Sequence, residues 1–167
     1  RVGLLDCDIY GPSVPRLMSL SGRPETDDGE TMKPMENYGV RCMSIGFLVD
    51  PDKAMIWRGP MVASAITQML RDVAWGELDV LVVDMPPGTG DVQMGLARML
   101  PRTDLIIVTT PSVSAQKVAI RAADMARRSF LRVAGVIENM SAFTCEHGES
   151  YPLFGAGGGQ ALADEIG

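Results

Sequence analysis

Acidic residues follow two apolar segments of the sequence, at positions where a buried strand would leave a sheet. The segment VGLLD (2–6) ends on Asp6 and is followed closely by Asp8, and the segment DVLVVD (79–84) ends on Asp84. A carboxylate directly after a buried strand is typical of a Walker B motif, where it lies beside a Mg²⁺ ion that bridges nucleotide phosphates. For Asp84 taken alone, an aspartate that merely caps a loop is the alternative.

A glycine-rich turn, PPGTGD (86–91), follows Asp84 directly. Because glycine has no Cβ, backbone N–H groups in such a turn can approach a γ-phosphate closely. Two further predicted strands are also followed by polar residues. Their ends are VTTPS (108–112) and VIENMS (136–141), and the second of these contains Asn139. Parallel strands place their carboxyl ends at one edge of a sheet, so these polar exits predict a ligand site at that edge.

The phosphate-binding loop that normally accompanies such an aspartate, G-x-x-x-x-G-K-[ST], does not occur in the sequence. The three lysines are Lys33, Lys53 and Lys117, and none of them follows a glycine. A dinucleotide fingerprint is excluded as well, because GTGDVQ (88–93) and GAGGGQ (155–160) both end in Gln where Gly or Ala is required. The residues that could do chemistry therefore include the acids of a phosphate site without its lysine.

Composition narrows the range of functions. The 167 residues include 15 basic and 21 acidic side chains and have a net charge of −6, which predicts binding to neither nucleic acid nor anionic lipid. No run approaches the roughly 20 apolar residues of a membrane-spanning helix. The three cysteines, Cys7, Cys42 and Cys145, are too few and too scattered for a disulfide framework and indicate a cytoplasmic protein.

Apolar strands alternate with amphipathic helices along the chain, which predicts an α/β fold of three layers, with a mainly parallel central sheet and helices on both faces. The predicted helix 114–130 begins with Ser114 as N-cap and directs Val118, Ala122 and Met125 inward. The remaining predicted elements are strands at 2–6, 79–84, 104–110 and 132–139, helices at 59–74, 92–100 and 160–166, a hairpin or strand pair at 38–49, and a long surface loop at 19–37.

Four blocks of the sequence resemble the Mrp/ApbC-type P-loop ATPases, a class that also includes MinD, ParA and the nitrogenase iron protein. The blocks are LLDCDIYGPSVPRLM (4–18), WRGPM (57–61), DVLVVDMPPGTGD (79–91) and VIENMSAFTCEHG (136–148). The resemblance covers nearly the whole chain and implies a cytosolic homodimer that binds and hydrolyses ATP and carries iron–sulfur clusters to apo-proteins. Family members have their P-loop before the strand with which this chain begins, so we expect residues 1–167 to be a single ATPase domain lacking its first strand, P-loop and first helix.

The same resemblance implies roles for individual residues. Asp84 matches the acid that acts on Mg²⁺ through water, Asp8 the acid that positions the attacking water, and Asn139 the asparagine that recognises adenine. Asn139 could instead cap a turn, and Asp6 is expected to be structural. The nucleotide-sensing segment called switch II corresponds to Gly88, with its N–H near the γ-phosphate, and to Thr89, Gly90 and the further catalytic candidate Asp91.

The cluster-binding position departs from the family pattern. Many members carry C-x-x-C after N-M-S-x-F, so that a dimer supplies four thiolates to one [4Fe–4S] cluster. Here Gly148 stands in place of the second cysteine, and only Cys145 remains. His147 is a candidate ligand but is also compatible with an exposed loop, the more common situation, and Cys7 and Cys42 are expected to be buried.

The resemblance therefore predicts an iron–sulfur cluster carrier that hydrolyses ATP with Mg²⁺ and delivers clusters to apo iron–sulfur proteins. The alternative is a cluster-free regulatory or partner-binding ATPase that uses ATP to switch its dimerisation. A membrane attachment through a basic C-terminal helix has no support, since QALADEIG (160–167) is acidic. Without a P-loop lysine, residues 1–167 alone are predicted not to hydrolyse ATP.

Overall fold

The computed structural model describes residues 1–27, 29–49 and 59–167. These residues form two compact units, Arg1–Pro87 and Gly88–Gly167, and each has a sheet of its own. Lys53 and the residues Trp57 and Arg58 of the WRGPM block lie outside the described residues. The single domain expected over residues 1–167 stays a prediction.

The first unit is built on a four-stranded sheet in the order β2-β3-β1-β4. Strand β1 is central and parallel to both β3 and β4, whereas β2 pairs with β3 in the antiparallel direction. The register places Asp6 opposite both Ser44 and Asp84, so three parallel strands end together at one edge. The strands are β1 (Val2–Asp6), β2 (Met35–Asn37), β3 (Val40–Ser44) and β4 (Val80–Asp84).

Two helices and a 3₁₀ turn complete the first unit: α1 (Val14–Leu17), the turn Ile45–Phe47, and α2 (Gly59–Arg71). Helix α2 buries Val62, Ile66 and Met69 as its periodicity predicts, but it ends at Arg71 rather than at residue 74. Beyond its end, the indole Nε1 of Trp75 donates to the carbonyl oxygen of Met69 at 3.2 Å. Helix α1 was not predicted from the sequence, because a single turn has no detectable periodicity.

The second unit contains the parallel pair β5 (Asp104–Thr109) and β6 (Arg132–Glu138) and the short hairpin β7 (Phe143–Thr144) and β8 (Ser150–Tyr151). Its helices are α3 (Asp91–Met99), α4 (Val113–Arg128) and α5 (Gly158–Ile166). One side of β5 packs with α4 and α5 into a core of Ile107, Ala119, Ala123, Leu162 and Ile166. The exit of β6 and the start of α5 are thereby held close together.

The predictions for helix α4 were wrong in two respects. Its N-cap is Ser112 rather than Ser114, because the Ser112 hydroxyl accepts from the N–H of Ala115 at 3.3 Å. Val118 is 58% exposed instead of inward, and the helix buries the alanine stripe Ala119, Ala123 and Ala126. Small side chains allow the helix to pack closely on its neighbours. A search for large apolar residues at helical spacing does not detect such an alanine stripe.

The predicted α/β class is confirmed, since the strand pairs β1–β3, β1–β4 and β5–β6 are parallel and helices connect successive strands. The strand pair predicted at 38–49 lies earlier, as the hairpin β2–β3 followed by the 3₁₀ turn, so the loop predicted at 19–37 ends in a strand. None of the helices in the described ranges is both long and apolar enough to cross a membrane.

Candidate functional site

The Asp6 carboxylate organises the strand exits of the first unit. It is fully buried and accepts three hydrogen bonds, from the N–H of Asp8 at 3.1 Å, the N–H of Val14 at 3.2 Å and the hydroxyl of Ser44 at 3.0 Å. The Ser44 hydroxyl in turn accepts from the N–H of Gly46 at 3.1 Å. Asp6 therefore connects β1, α1 and β3, in agreement with the structural role expected for it.

Asp8 and Asp84 lie at the same edge but have few donors around them. Asp8 is half-buried and accepts from the N–H of Gly11 at 3.2 Å. Asp84 ends β4 next to Asp6, and its main-chain carbonyl accepts from the N–H of Cys7 at 2.9 Å. No described residue donates a hydrogen bond to the carboxylate of Asp84, which is exposed. Its negative charge is thus available to a ligand.

The carboxylates clustered at this edge shift the pKa values of neighbouring groups. Partial loss of hydration, followed by the negative charges of Asp6 and Asp8, raises the pKa of Asp84 above its usual value. Burial, with Asp6 and Asp84 contributing, raises the pKa of the Cys7 thiol to about 12. Cys7 is therefore a neutral, fully buried thiol, as expected, and is no candidate ligand.

The chemistry of this edge suits a hydrated divalent cation. Repulsion among three neighbouring carboxylates would be relieved by a positive charge beside Asp84. Among the described residues, no group of three or more His, Cys, Asp or Glu side chains is placed to bind a metal ion. A cation here would keep most of its water, as Mg²⁺ commonly does in proteins.

Residues 88–91 begin the second unit and lead into α3. Gly88 has φ +101, in the left-handed region that side-chain-bearing residues rarely adopt, so this turn requires glycine. Gly90 is the N-cap of α3 and makes no side-chain capping hydrogen bond. Thr89 is exposed and lines a cavity of about 290 Å³ beside α3 and α4. The side chain of Asp91 lies outside the described part of the structure.

Asn139 follows β6 and is held by its backbone. Its N–H donates to the carbonyl oxygen of Thr109 at 2.8 Å, which extends the β5–β6 ladder by one residue. Its side-chain Oδ1 accepts from the N–H of Met140 at 2.9 Å, and Met140 has φ +59. The amide NH₂ of Asn139 is exposed and has no acceptor among the described residues, so it is free to donate to a ligand.

Cys145 lies in the loop of the β7–β8 hairpin and is partly accessible. Its N–H donates to the Glu149 carbonyl oxygen at 2.9 Å, and its own carbonyl accepts from the N–H of Gly148 at 3.0 Å. Gly148 has φ +81. The His147 imidazole is 80% exposed, and its Nε2 lies 3.8 Å from the Glu146 carboxylate. Cys42, like Cys7, is buried.

Within each unit, the structure brings together some of the predicted residues. Asp8 and Asp84 meet at one edge of the first unit, whereas residues 88–91, Asn139 and Cys145 belong to the second. Sequence reasoning missed Glu138 and Ser44. Glu138 lies next to the end of the strand predicted at 132–139, so the strand-end position that singled out Asp84 would have identified it. Ser44 ends β3 but falls in the middle of the segment predicted as a strand pair at 38–49, so no sequence signal marked it.

Comparisons with known proteins agree on one family. The family model of ParA type for NUBPL iron-transfer P-loop NTPases matches residues 1–167. The iron–sulfur cluster transfer protein NUBPL of Mus musculus is 48% identical to this chain over 99% of the chain and 52% of its own length. The iron–sulfur cluster carrier protein of Escherichia coli K12 is 45% identical over 99% of the chain and 45% of its own length.

A solved structure gives the same result. A nucleotide-binding protein of Archaeoglobus fulgidus, solved in complex with ADP, has a TM-score of 0.78 and 36% sequence identity, and the match covers 99% of this chain and 65% of that one. The chain spans about half the length of the curated relatives it matches.

Proposed function

The chain belongs to the family of NUBPL-type iron-transfer P-loop NTPases, and from this premise we propose that the full-length protein is an ATP-hydrolysing carrier of iron–sulfur clusters. The observation that carries the proposal is the acidic edge of the first unit. There, Asp84 has a raised pKa and no described hydrogen-bond donor, next to an Asp6 carboxylate occupied by three donors. A carboxylate without hydrogen-bond donors, Asp84, next to one whose donors are in place, Asp6, suits a phosphate site that depends on a bound cation.

In the proposed reaction, Asp84 would hold a hydrated Mg²⁺ through its water shell, and such an ion would supply positive charge to offset the charge that develops on the phosphates. Asp8 positions the water that attacks the γ-phosphate. Its half-buried carboxylate is restrained by the N–H of Gly11, which supports a fixed orientation. Asp6 does not take part directly but holds the backbone of Asp8 in place.

For the residues of the second unit, the proposed contacts to the nucleotide follow from the family resemblance. We assign the γ-phosphate contacts to Gly88, Thr89 and Gly90, because the positive φ of Gly88 and the uncapped start of α3 suit an approaching anion. Asp91 keeps its proposed catalytic role from the family resemblance. Asn139 recognises adenine through its free amide NH₂ and the second lone pair of Oδ1.

Phosphate binding also requires a lysine that residues 1–167 do not provide after any glycine. The family model and the relatives, of which this chain spans about half the length, support the proposal that the full-length protein contains a P-loop. Purified residues 1–167 should then show no Mg²⁺-dependent ATP hydrolysis, and measurable turnover would contradict this proposal.

The cluster is the cargo, and Cys145 is the residue proposed to hold it. One chain contributes a single accessible thiol among the described residues, so a homodimer contributes two from this loop. Because a [4Fe–4S] cluster usually takes four thiolates, the remaining ligands come from elsewhere, from residues of the full-length protein or of the apo-protein that receives the cluster. His147 remains a candidate for one of them. We place the protein in the cytoplasm, as its composition predicts.

Anaerobic reconstitution of the full-length protein tests this function. The parent protein should bind iron and sulfide and absorb in the iron–sulfur charge-transfer region, and Cys145→Ala should lose most of that signal. Cys42→Ala is the matched control, since it also removes a thiol but a buried one. A parent without a cluster, or a cluster unaffected by Cys145→Ala, would contradict the carrier function.

One observation favours a second function, a cluster-free ATPase whose dimerisation is switched by ATP. Gly148 occupies the position of the second cysteine, and its φ of +81 is unfavourable for any other residue. The hairpin is therefore built for glycine there. ATP-dependent dimerisation without any bound iron would support this second function over the first.

A further inference from the structure

The Glu138 carboxylate connects two segments of the second unit that are distant in sequence, residues 138–141 and 157–159. Its Oε1 accepts from the hydroxyl of Ser141 at 2.8 Å and from the N–H of Gly157 at 3.3 Å. Its Oε2 accepts from the N–H of Gly159 at 2.5 Å. These bonds connect the exit of β6 to the turn that follows it and to the first residues of α5.

The surrounding backbone is shaped to bring these donors close. A Cβ at Gly159 would lie 2.7 Å from the Cβ of Glu138, and a Cβ at Gly158 would lie 2.9 Å from the carbonyl oxygen of Pro111. Both distances are shorter than real Cβ contacts, so the two glycines are required for this approach. The donors lower the pKa of Glu138, with the Gly159 N–H contributing most, and the side chain is a carboxylate at neutral pH.

Asn139 lies inside the turn that Glu138 closes. The Ser141 hydroxyl is within hydrogen-bonding distance of both the Glu138 carboxylate and its main-chain carbonyl, at 2.8 and 3.2 Å. Between them, Met140 adopts φ +59, a conformation that costs a residue other than glycine about 1 kcal/mol. Asn139 bonds to the N–H of that strained residue, so its amide orientation depends on the turn remaining closed.

We propose that Glu138 is a positioning residue for adenine recognition, acting through Asn139. By holding residues 139–141 against the start of α5, it keeps the Asn139 amide in one orientation. An amide fixed in this way presents a donor and an acceptor that match a ring nitrogen and the N6 amino group of adenine, whereas guanine offers an acceptor at position 6. The inference rests on the proposed function, because it requires Asn139 to contact the base.

A double-mutant cycle with the full-length protein tests this role. The dissociation constants of non-hydrolysable ATP and GTP analogues are measured for the parent, Glu138→Gln, Asn139→Ala and the double variant. Glu138→Gln directs an amide NH₂ at one of the three donors and should open the turn, weakening ATP-analogue binding by about tenfold and reducing the preference for ATP over GTP. In the Asn139→Ala background it should have no further effect.

Gln160→Ala is the matched control, because it removes a hydrogen bond within α5, from the Gln160 side chain to Asp164, that does not involve Glu138. It should leave both dissociation constants unchanged. If Glu138→Gln does not fold, Ser141→Ala removes a single donor and should shift nucleotide preference in the same direction by a smaller factor.

The outcomes separate the inference from the function on which it rests. Equal weakening of ATP and GTP binding by Glu138→Gln, or an undiminished effect in the Asn139→Ala background, would overturn the positioning role alone. Normal ATP-analogue binding by Asn139→Ala would overturn both the role of Asn139 and this inference. A loss of ATP preference that vanishes when Asn139 is absent would support it.

Discussion

Each unit ends a parallel strand on an acidic residue, Asp84 on β4 and Glu138 on β6, and the two acids are in opposite surroundings. Two other carboxylates lie near Asp84, no described group donates to it, and its pKa is raised. Three donors surround Glu138, and its pKa is lowered. An acid at a strand end can therefore be either an open site for a cation or a structural contact whose hydrogen bonds are all made within the protein.

The largest expected effect follows from removing the open acid. In the full-length protein, Asp84→Asn should lower the rate of ATP hydrolysis roughly 100-fold, because a neutral amide holds the water shell of Mg²⁺ poorly. The urea midpoint should rise slightly, since like charges no longer repel. Asp124→Asn on α4 is the control for removing an exposed aspartate. Unchanged turnover in Asp84→Asn would refute the assignment of Asp84.

Replacing Asp6, whose carboxylate accepts three hydrogen bonds, should have the opposite effect and lower the stability of the fold. Asp6→Ala leaves the N–H groups of Asp8 and Val14 and the hydroxyl of Ser44 without their acceptor. We expect the free energy of unfolding, measured by urea denaturation, to fall by about 3 kcal/mol. Asp6→Asn, which keeps one side-chain acceptor, should lose less. A stability loss no greater than that of Asp84→Asn would remove the distinction between the two aspartates.

Ser112, a neutral residue shortly after β5, should have an intermediate effect. Ser112→Ala removes the N-cap of α4 and should lower the free energy of unfolding by about 1 kcal/mol without changing ATP hydrolysis. Ser114→Ala, two residues further along the same helix, is the matched control and should be nearly neutral. Equal losses in the two variants would mean that Ser112 is not the effective cap.

The smallest expected effect is the pH dependence of the free energy of unfolding that Asp84 and Glu138 cause, because solvent reaches both carboxylates and screens their charges. The folded pKa of Asp84 is raised, so its charge destabilises the fold at neutral pH and this penalty disappears as pH falls below the unfolded value of about 4. The folded pKa of Glu138 is lowered, so its contribution is present above the unfolded pKa and is lost as pH falls through the folded one.

Urea denaturation across this pH range gives the measurement. At neutral pH, Asp84→Asn should be more stable than the parent and Glu138→Gln less stable, and both differences should shrink towards acid pH. Changes of the same sign in the two variants would contradict the contrast between the acids.

Much of the fold could be predicted from local pattern. The apolar runs located β1, β4, β5 and β6 to within a residue or two, because parallel strands are typically near-continuous runs of apolar residues. Short elements escaped prediction, since α1 and the β7–β8 hairpin are too short for a periodicity to emerge. The inward face of α4 was misassigned at Val118 because packing selected small alanines there.

By itself, the sequence determined which residues can carry charge at the strand ends and which family the chain resembles. Only the tertiary structure decided what each acid does. Ser44, a donor to Asp6, is 38 residues away from it, and Gly159, a donor to Glu138, is 21 residues away. A carboxylate is satisfied or left open by donors that only folding brings near it, so no local motif separates Asp84 from Glu138.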